Sequence, residues 1–150
     1  MKFKQKLCLM FTGCSNSETN STSRGLTDFA HIEEEYLATI DSLNWPDGIT
    51  LPDKLEDEDT GASFQVGYGE TRASYLWEYS WMKEWLDTYN TDPERAEKAL
   101  EELEKAFDMP YMGIDRCDDA TRNYLRENID KAKLGDPSGF TESIRANYAN

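Results

Sequence analysis

Between Thr71 and Tyr89 the chain carries Tyr75, Leu76, Trp77, Tyr79, Trp81, Met82, Trp85, Leu86 and Tyr89. At helical periodicity these side chains cover well over half the circumference. A helix apolar on so many sides must be surrounded, so the pattern predicts a central helix over 71–89 with other elements packed around it. Trp77, Trp81 and Trp85 stand four residues apart, a spacing that suits a buried stripe or an exposed sugar-stacking ridge. Aromatic stripes at this spacing belong mainly to cores, and a core role is expected here.

The flanking sequence predicts the surrounding helices. Phe29, Ile32, Tyr36, Leu37, Ile40 and Leu43 repeat at three-and-four spacing, which makes a first helix from Thr27 or Asp28 to about Asn44, with Glu33, Glu34, Glu35 and Asp41 on its other faces. Trp45-Pro46 ends it, because the residue before a proline is pushed out of helical conformation. Asp92 and Pro93 open a third helix as cap and first residue. Its inner stripe is Ala96, Ala99, Leu100, Leu103, Ala106 and Phe107, with Glu94–Lys98 and Glu101–Lys105 as outer pairs four apart. A fourth helix over 119–134 turns Ala120, Tyr124, Leu125, Ile129 and Ala132 inward and stops at Gly135. Asp136-Pro137 repeats the cap-plus-proline device ahead of a short last helix bearing Phe140, Ile144 and Tyr148. The expected fold is an all-α, irregular bundle of four or five helices around the aromatic one.

Residues 46–70 interrupt this pattern. Pro46, Gly48, Pro52, Gly61, Gly67 and Gly69 break any period, and Ile49-Thr50-Leu51 and Phe64-Gln65-Val66 are short enough to pair as a small β-ribbon or to plug into the core. A connection this long within a compact domain is a common home for function. The expected ligand-binding residues are therefore Asp53, Glu56, Asp57, Asp59 and Tyr68.

Charge narrows the function classes. The formal net charge is −14, yet the first 24 residues hold four basic residues and one acid, leaving 12 basic and 29 acidic residues in the body. Nucleic-acid binding concentrates Lys and Arg on one face, and this body does the opposite, so no nucleic-acid partner is expected. A cationic protein or ligand is the partner such a surface suits.

The N-terminus, Met1 to Cys14, has Lys2, Lys4 and Lys6 ahead of a short apolar run, Leu7 to Phe11, and then Thr12-Gly13-Cys14; a polar stretch from Ser15 to Ser23 follows. This resembles a bacterial lipoprotein signal peptide, with Phe11-Thr12-Gly13-Cys14 as its lipobox. The resemblance implies removal of residues 1–13, lipidation of Cys14, a tether over 14–24 and a helical domain over 25–150. It also implies a lipid-anchored protein facing the extracytoplasmic side of a membrane. It covers residues 1–24 alone.

Candidate catalytic chemistry is sparse. His31 is the single histidine, so a zinc site lacks a second one, and Asp28-x-x-His31 is a poor approach to a di-iron motif. No Gly-x-Ser-x-Gly elbow accompanies it. The acids 53–59 fail the EF-hand register. Gly67-Tyr68-Gly69 lacks the third glycine of a dinucleotide loop. Cys117 would be the one cysteine of the body, a small buried hydrophobe whose neighbours Asp115, Asp118 and Asp119 disfavour a thiolate. No cofactor and no metal are expected. The leading expectation is a non-catalytic, lipid-anchored binding protein. The alternatives are a small envelope hydrolase using carboxylates of the 46–70 loop, or a cytosolic helical interaction module if the lipobox is false.

Overall fold

The computed structural model describes residues 25–56 and 58–148. They form an all-α bundle with one minimal ribbon. Strand β1 is Leu26–Thr27, and helix α1 is Phe29–Ser42. Strand β2 is Phe64–Gln65, and the central helix α2 is Tyr68–Thr88. Helix α3, Pro93–Glu104, runs into 3-10 turns at Lys105–Asp108 and Pro110–Met112. Helices α4, Asp119–Lys133, and α5, Ser138–Asn147, complete the bundle.

Helix starts follow side-chain capping. Asp28 Oδ1 accepts from His31 N–H at 3.0 Å, Asp92 Oδ1 from Arg95 N–H at 3.2 Å and Asp118 Oδ1 from Thr121 N–H at 2.7 Å. Each satisfies one of the donors a helix start leaves unpaired. Asp136 Oδ1 takes the Ser138 N–H at 2.9 Å just ahead of α5. The end of α4 closes with Gly135 N–H on Ala132 O at 2.8 Å and Asp136 N–H on Lys131 O at 3.0 Å, the paired bonds of a glycine-terminated helix.

Helix α2 divides the interior. Toward α3, α4 and α5 it buries Trp77, Trp81, Met82 and Trp85 against Ala99, Leu103, Tyr111, Leu125, Ile129 and Phe140. Toward α1 it adds Ala73 to a smaller cluster of Ile32, Tyr36, Ile40, Leu55 and Phe64. The three tryptophans are 1%, 1% and 2% exposed, so the stripe is core. Trp77 Nε1–H and Trp81 Nε1–H both donate to Asn44 O, at 2.9 and 3.1 Å, which ties the end of the first helical segment to the middle of α2. Buried indole N–H groups need such partners.

Several expectations are corrected. The ribbon is antiparallel β1–β2, with Leu26 opposite Gln65 and Thr27 opposite Phe64; Ile49-Thr50-Leu51 forms no strand. The chain ahead of α1 supplies the missing strand because Gly25 O and Val66 N–H also bond at 3.0 Å. Helix α2 begins three residues earlier than its periodicity suggests, at Tyr68, because Gly67 caps it in a left-handed conformation with φ 90°. On α4, Ala120 and Tyr124 face outward; Leu125, Asn128, Ile129 and Ala132 form the buried stripe. Ala106 and Phe107 belong to a 3-10 turn rather than to α3. Lys105 pairs with Glu102 at 2.6 Å in place of Glu101, and Lys98 lies 5.9 Å from the Trp81 ring centre.

The crossing of α1 and α2 explains why Gly67-Tyr68-Gly69 is there. A Cβ on Gly69 would stand 1.8 Å from Ile32 O, so only glycine allows the backbones to approach this closely. Glu35 reaches across from α1, and its two oxygens accept from Gly67 N–H at 2.8 Å and Gly69 N–H at 3.1 Å. A carboxylate thus sits on the positive end of α2.

Candidate functional site

Helix α1 ends at Ser42, and after Trp45 the chain runs alongside α2. Leu55 anchors this stretch: it is buried in the smaller core cluster, and its N–H donates to Glu33 Oε2 at 3.1 Å. Further along, Glu58 Oε1 accepts from Tyr68 Oη at 2.8 Å and pairs with Arg72 of α2, both partners being largely shielded from solvent. The middle of the connection over 46–66 is therefore tied to α1 through Leu55 and to α2 through Glu58.

Ahead of those ties the chain and α2 enclose a groove of about 480 Å³. One wall is Pro46, Asp47, Gly48, Ile49, Thr50, Leu51, Pro52 and Glu56; the other is Leu76, Tyr79, Ser80, Lys83, Glu84 and Asp87. The α2 residues follow three-and-four spacing and make one face of the helix. The deeper lining is apolar, from the half-buried Leu51, Leu76 and Tyr79. Ile49 is 36% exposed, an aliphatic side chain presented to solvent at the mouth. The rim is acidic. Lys83 Nζ is held by Asp87 at 2.7 Å, which raises its pKa, and Glu84 pairs with Arg95 of α3 at 2.7 Å.

The residues picked from sequence separate on this scaffold. Glu56 lines the groove and pairs with Lys54 at 3.0 Å. Asp53 is exposed beside it without lining it. Asp59 is exposed and caps a local turn, its Oδ1 accepting from Gly61 N–H at 2.9 Å. Tyr68 opens α2; burial, followed by the Glu58 bond, raises its pKa. Asp57 lies outside the described residues, as do Cys14 and the tether 14–24. Sequence reasoning missed the α2 side of the groove. Its signal was present: Lys83, Glu84 and Asp87 interrupt the apolar pattern of α2 on the flank that also carries Leu76 and Tyr79.

Two other groups bear chemistry. Glu78 is 7% exposed in the interior, and Tyr111 Oη donates to its Oε2 at 2.7 Å. Burial raises its pKa to about 7, opposed by the tyrosine bond. Cys117 is half-buried rather than buried, with Sγ 3.7 Å from Met112 Sδ; burial raises its thiol pKa, which disfavours the nucleophilic thiolate. His31 is exposed, 3.3 Å from Glu35 Oε1. Among the described residues no group of three or more His, Cys, Asp or Glu is arranged to hold a metal ion, and no helix is long and apolar enough to cross a membrane.

No protein-family model, curated protein or solved structure matches the chain.

Proposed function

We propose that the chain is a lipid-anchored extracytoplasmic protein that binds a partner without catalysis, through the groove between residues 46–56 and α2. The observation that carries the binding reading is the groove itself: an apolar lining with a solvent-exposed Ile49, walled by α2 and by a loop that buried Leu55 and the Glu58–Arg72 pair hold in place. Preformed concave sites with a mainly apolar lining and a few charged groups are the usual form of ligand sites. The loop acids support a structural rather than a catalytic use, since Glu56, Glu58 and Asp59 are each engaged by a neighbouring residue of the loop or of α2. The anchor rests on the lipobox at Cys14. An acidic body gains nothing from anionic headgroups, so a covalent lipid is the device that would hold it at a membrane.

Site-specific photocrosslinking in the cells that make the protein tests the groove. A photoreactive residue in place of Ile49 should yield a discrete adduct in the membrane fraction, and one in place of Ala120 on the exposed face of α4 should not. Identical adduct patterns at both positions, or none at Ile49, would overturn the assignment of the groove.

A further inference from the structure

The groove and the buried carboxyl of Glu78 share a neighbour. Tyr79, one of the deeper groove residues, packs on Tyr148 with ring centres 4.9 Å apart. Tyr148 caps the end of α5, its N–H on Ile144 O at 2.9 Å, and its hydroxyl donates to Tyr75 O at 3.3 Å. The Glu78 charge acts on its phenol as it does on that of Tyr111. One ring thus backs a groove residue and helps to close the enclosure around Glu78.

That enclosure holds no balancing charge. From the 110–112 turn Tyr111 Oη donates to Glu78 Oε2 at 2.7 Å. The other titratable groups facing it are Tyr75 of α2, Tyr148 of α5 and Cys117, whose thiol is raised in part by the Glu78 charge. Arg122 of α4, beside Cys117, is committed to Met112 O at 3.2 Å, to Cys117 O and to Asp119. Among the described residues no positive charge stabilises the ionised form of Glu78. A carboxylate so placed gains most by admitting water.

Packing decides which wall gives way. Helix α2 runs through both core clusters, and Tyr111 and Met112 are 1% and 3% exposed. Tyr148 is only half-buried. The ten-residue helix α5 has its largest buried side chain, Phe140, at the opposite end, edge-on against Trp85. Segments with few buried apolar contacts open at lower free energy than the core they lie on.

Resting on the groove assignment above, we infer that Tyr148 is a latch: when Glu78 loses its proton, the 144–148 end of α5 lifts from α2, water reaches the carboxylate, and Tyr79 loses the ring that backs it in the groove wall. The groove is then governed by the proton state of a residue that does not line it. Burial places the Glu78 pKa at about 7, and the hydrated, open form ionises more readily, so opening is favoured as pH rises through this value. By reciprocity, an occupant that needs the seated Tyr79 binds more tightly at pH 6 than at pH 8.

The test uses the full chain without ligand, isotope-labelled for amide exchange and for carboxyl and methyl spectra. Protection factors over 144–148, which discount the intrinsic pH dependence of exchange, should fall about tenfold from pH 6 to pH 8 in denaturant well below the unfolding midpoint. The methyl signals of Leu51 and Leu76 should move over the same range. Glu78→Gln should flatten both profiles. Tyr148→Ala should bring the Glu78 carboxyl titration down toward the ordinary glutamate value, whereas Tyr148→Phe, which keeps the ring, should leave it raised. Protection over 144–148 that does not depend on pH, or that follows the same denaturant slope as α2, would overturn the latch, as would an unchanged Glu78 titration in Tyr148→Ala. Opening of α5 with Leu51 and Leu76 unmoved would overturn its coupling to the groove. If these signals behave as expected while crosslinking at Ile49 captures nothing, the latch stands and the groove assignment fails; the converse result sinks the latch alone.

Discussion

Glu78 Oε2 and Tyr111 Oη meet at 2.7 Å inside the larger core, a carboxyl from the middle of α2 bonded to a hydroxyl from the turn that follows α3. Tyr75 packs edge-on against Tyr111 at 5.4 Å between ring centres, and Tyr148, beyond α5, donates from its Oη to Tyr75 O at 3.3 Å. The pKa values of Tyr111 and Tyr148 lie well above the ordinary tyrosine value, burial being the main cause and the Glu78 charge the next. The carboxyl thus sits in a largely aromatic enclosure assembled from α2, the 110–112 turn and the C-terminal segment. Its ionised form is the disfavoured one there.

The sign of the resulting pH dependence follows. Below about pH 4.5 Glu78 is protonated in the folded and unfolded chain alike and contributes nothing. Between 4.5 and about 7 the unfolded chain releases this proton while the folded one keeps it, so stability falls as pH rises; above 7 the loss is complete. A shift of this size corresponds to roughly 3 kcal/mol. Asp118 and Asp136 act oppositely and lower, their pKa values depressed first by backbone N–H bonds, so their contribution is lost as pH falls below about the ordinary aspartate range. Glu78→Gln keeps an acceptor for Tyr111 and removes the charge. Denaturant unfolding at pH 5 and pH 8 should show wild type weaker at pH 8, and the difference between wild type and variant should widen from one pH to the other. A difference independent of pH would show that Glu78 does not titrate in this window.

The α1–α2 crossing gives a second prediction. In Gly69→Ala the new methyl meets Ile32 O, a backbone atom that cannot rotate aside, so the helices must separate. The expected cost is about 3 kcal/mol or more, above the ordinary range for overpacking because backbone has to move. Glu35→Gln can still accept one of the two N–H bonds and should cost about 1–2 kcal/mol. Chemical denaturation of both variants measures this. Equal, small losses would mean that the helices slide past one another at little expense.

A third prediction concerns the tryptophan stripe. Trp81→Ala leaves a large cavity in the main core and withdraws one of the two indole donors on Asn44 O, and Trp85→Ala opens the same core beside Phe140. Each should cost about 3–5 kcal/mol, enough to lower the melting temperature steeply in a domain of ordinary stability. Unchanged melts for both variants would contradict their burial.

The parts legible in the sequence are those where local pattern and tertiary packing agree. Asp92-Pro93 opens α3 because cap chemistry is local, and the apolar stripe of α2 is core because periodicity reports burial directly. What could not be read depends on distant partners. Nothing local distinguishes Glu35, which caps α2 from across the crossing, from exposed Glu34, nor Glu78 from the acids of the outer faces. Tyr124 looked inward on α4 because its spacing fits the stripe, but Asn128, a polar residue beside Gly139, took the buried position instead. The groove is half visible in the sequence: the length of the 46–70 connection marks one wall, whereas Leu76 and Tyr79, which complete its apolar lining, carry the same apolar signature as the core residues of α2.

The last prediction concerns Cys14. A single acyl chain gives marginal membrane binding, whereas the several chains of a lipoprotein hold firmly. The body, with 29 acids against 12 basic residues, cannot replace them through electrostatics. Expressed from its own start in a host that processes lipoproteins, the wild-type chain should therefore incorporate labelled palmitate and sediment with membranes. Cys14→Ser should take up no label and leave the membrane pellet. Because the described fold begins at Gly25 and makes its core from Ile32 onward, the melting curve of the Cys14→Ser chain should match that of an unlipidated wild-type preparation. A wild-type chain that takes up no palmitate and stays in the cytosolic fraction would remove the anchor from the proposal. The groove would then belong to a cytosolic helical interaction module.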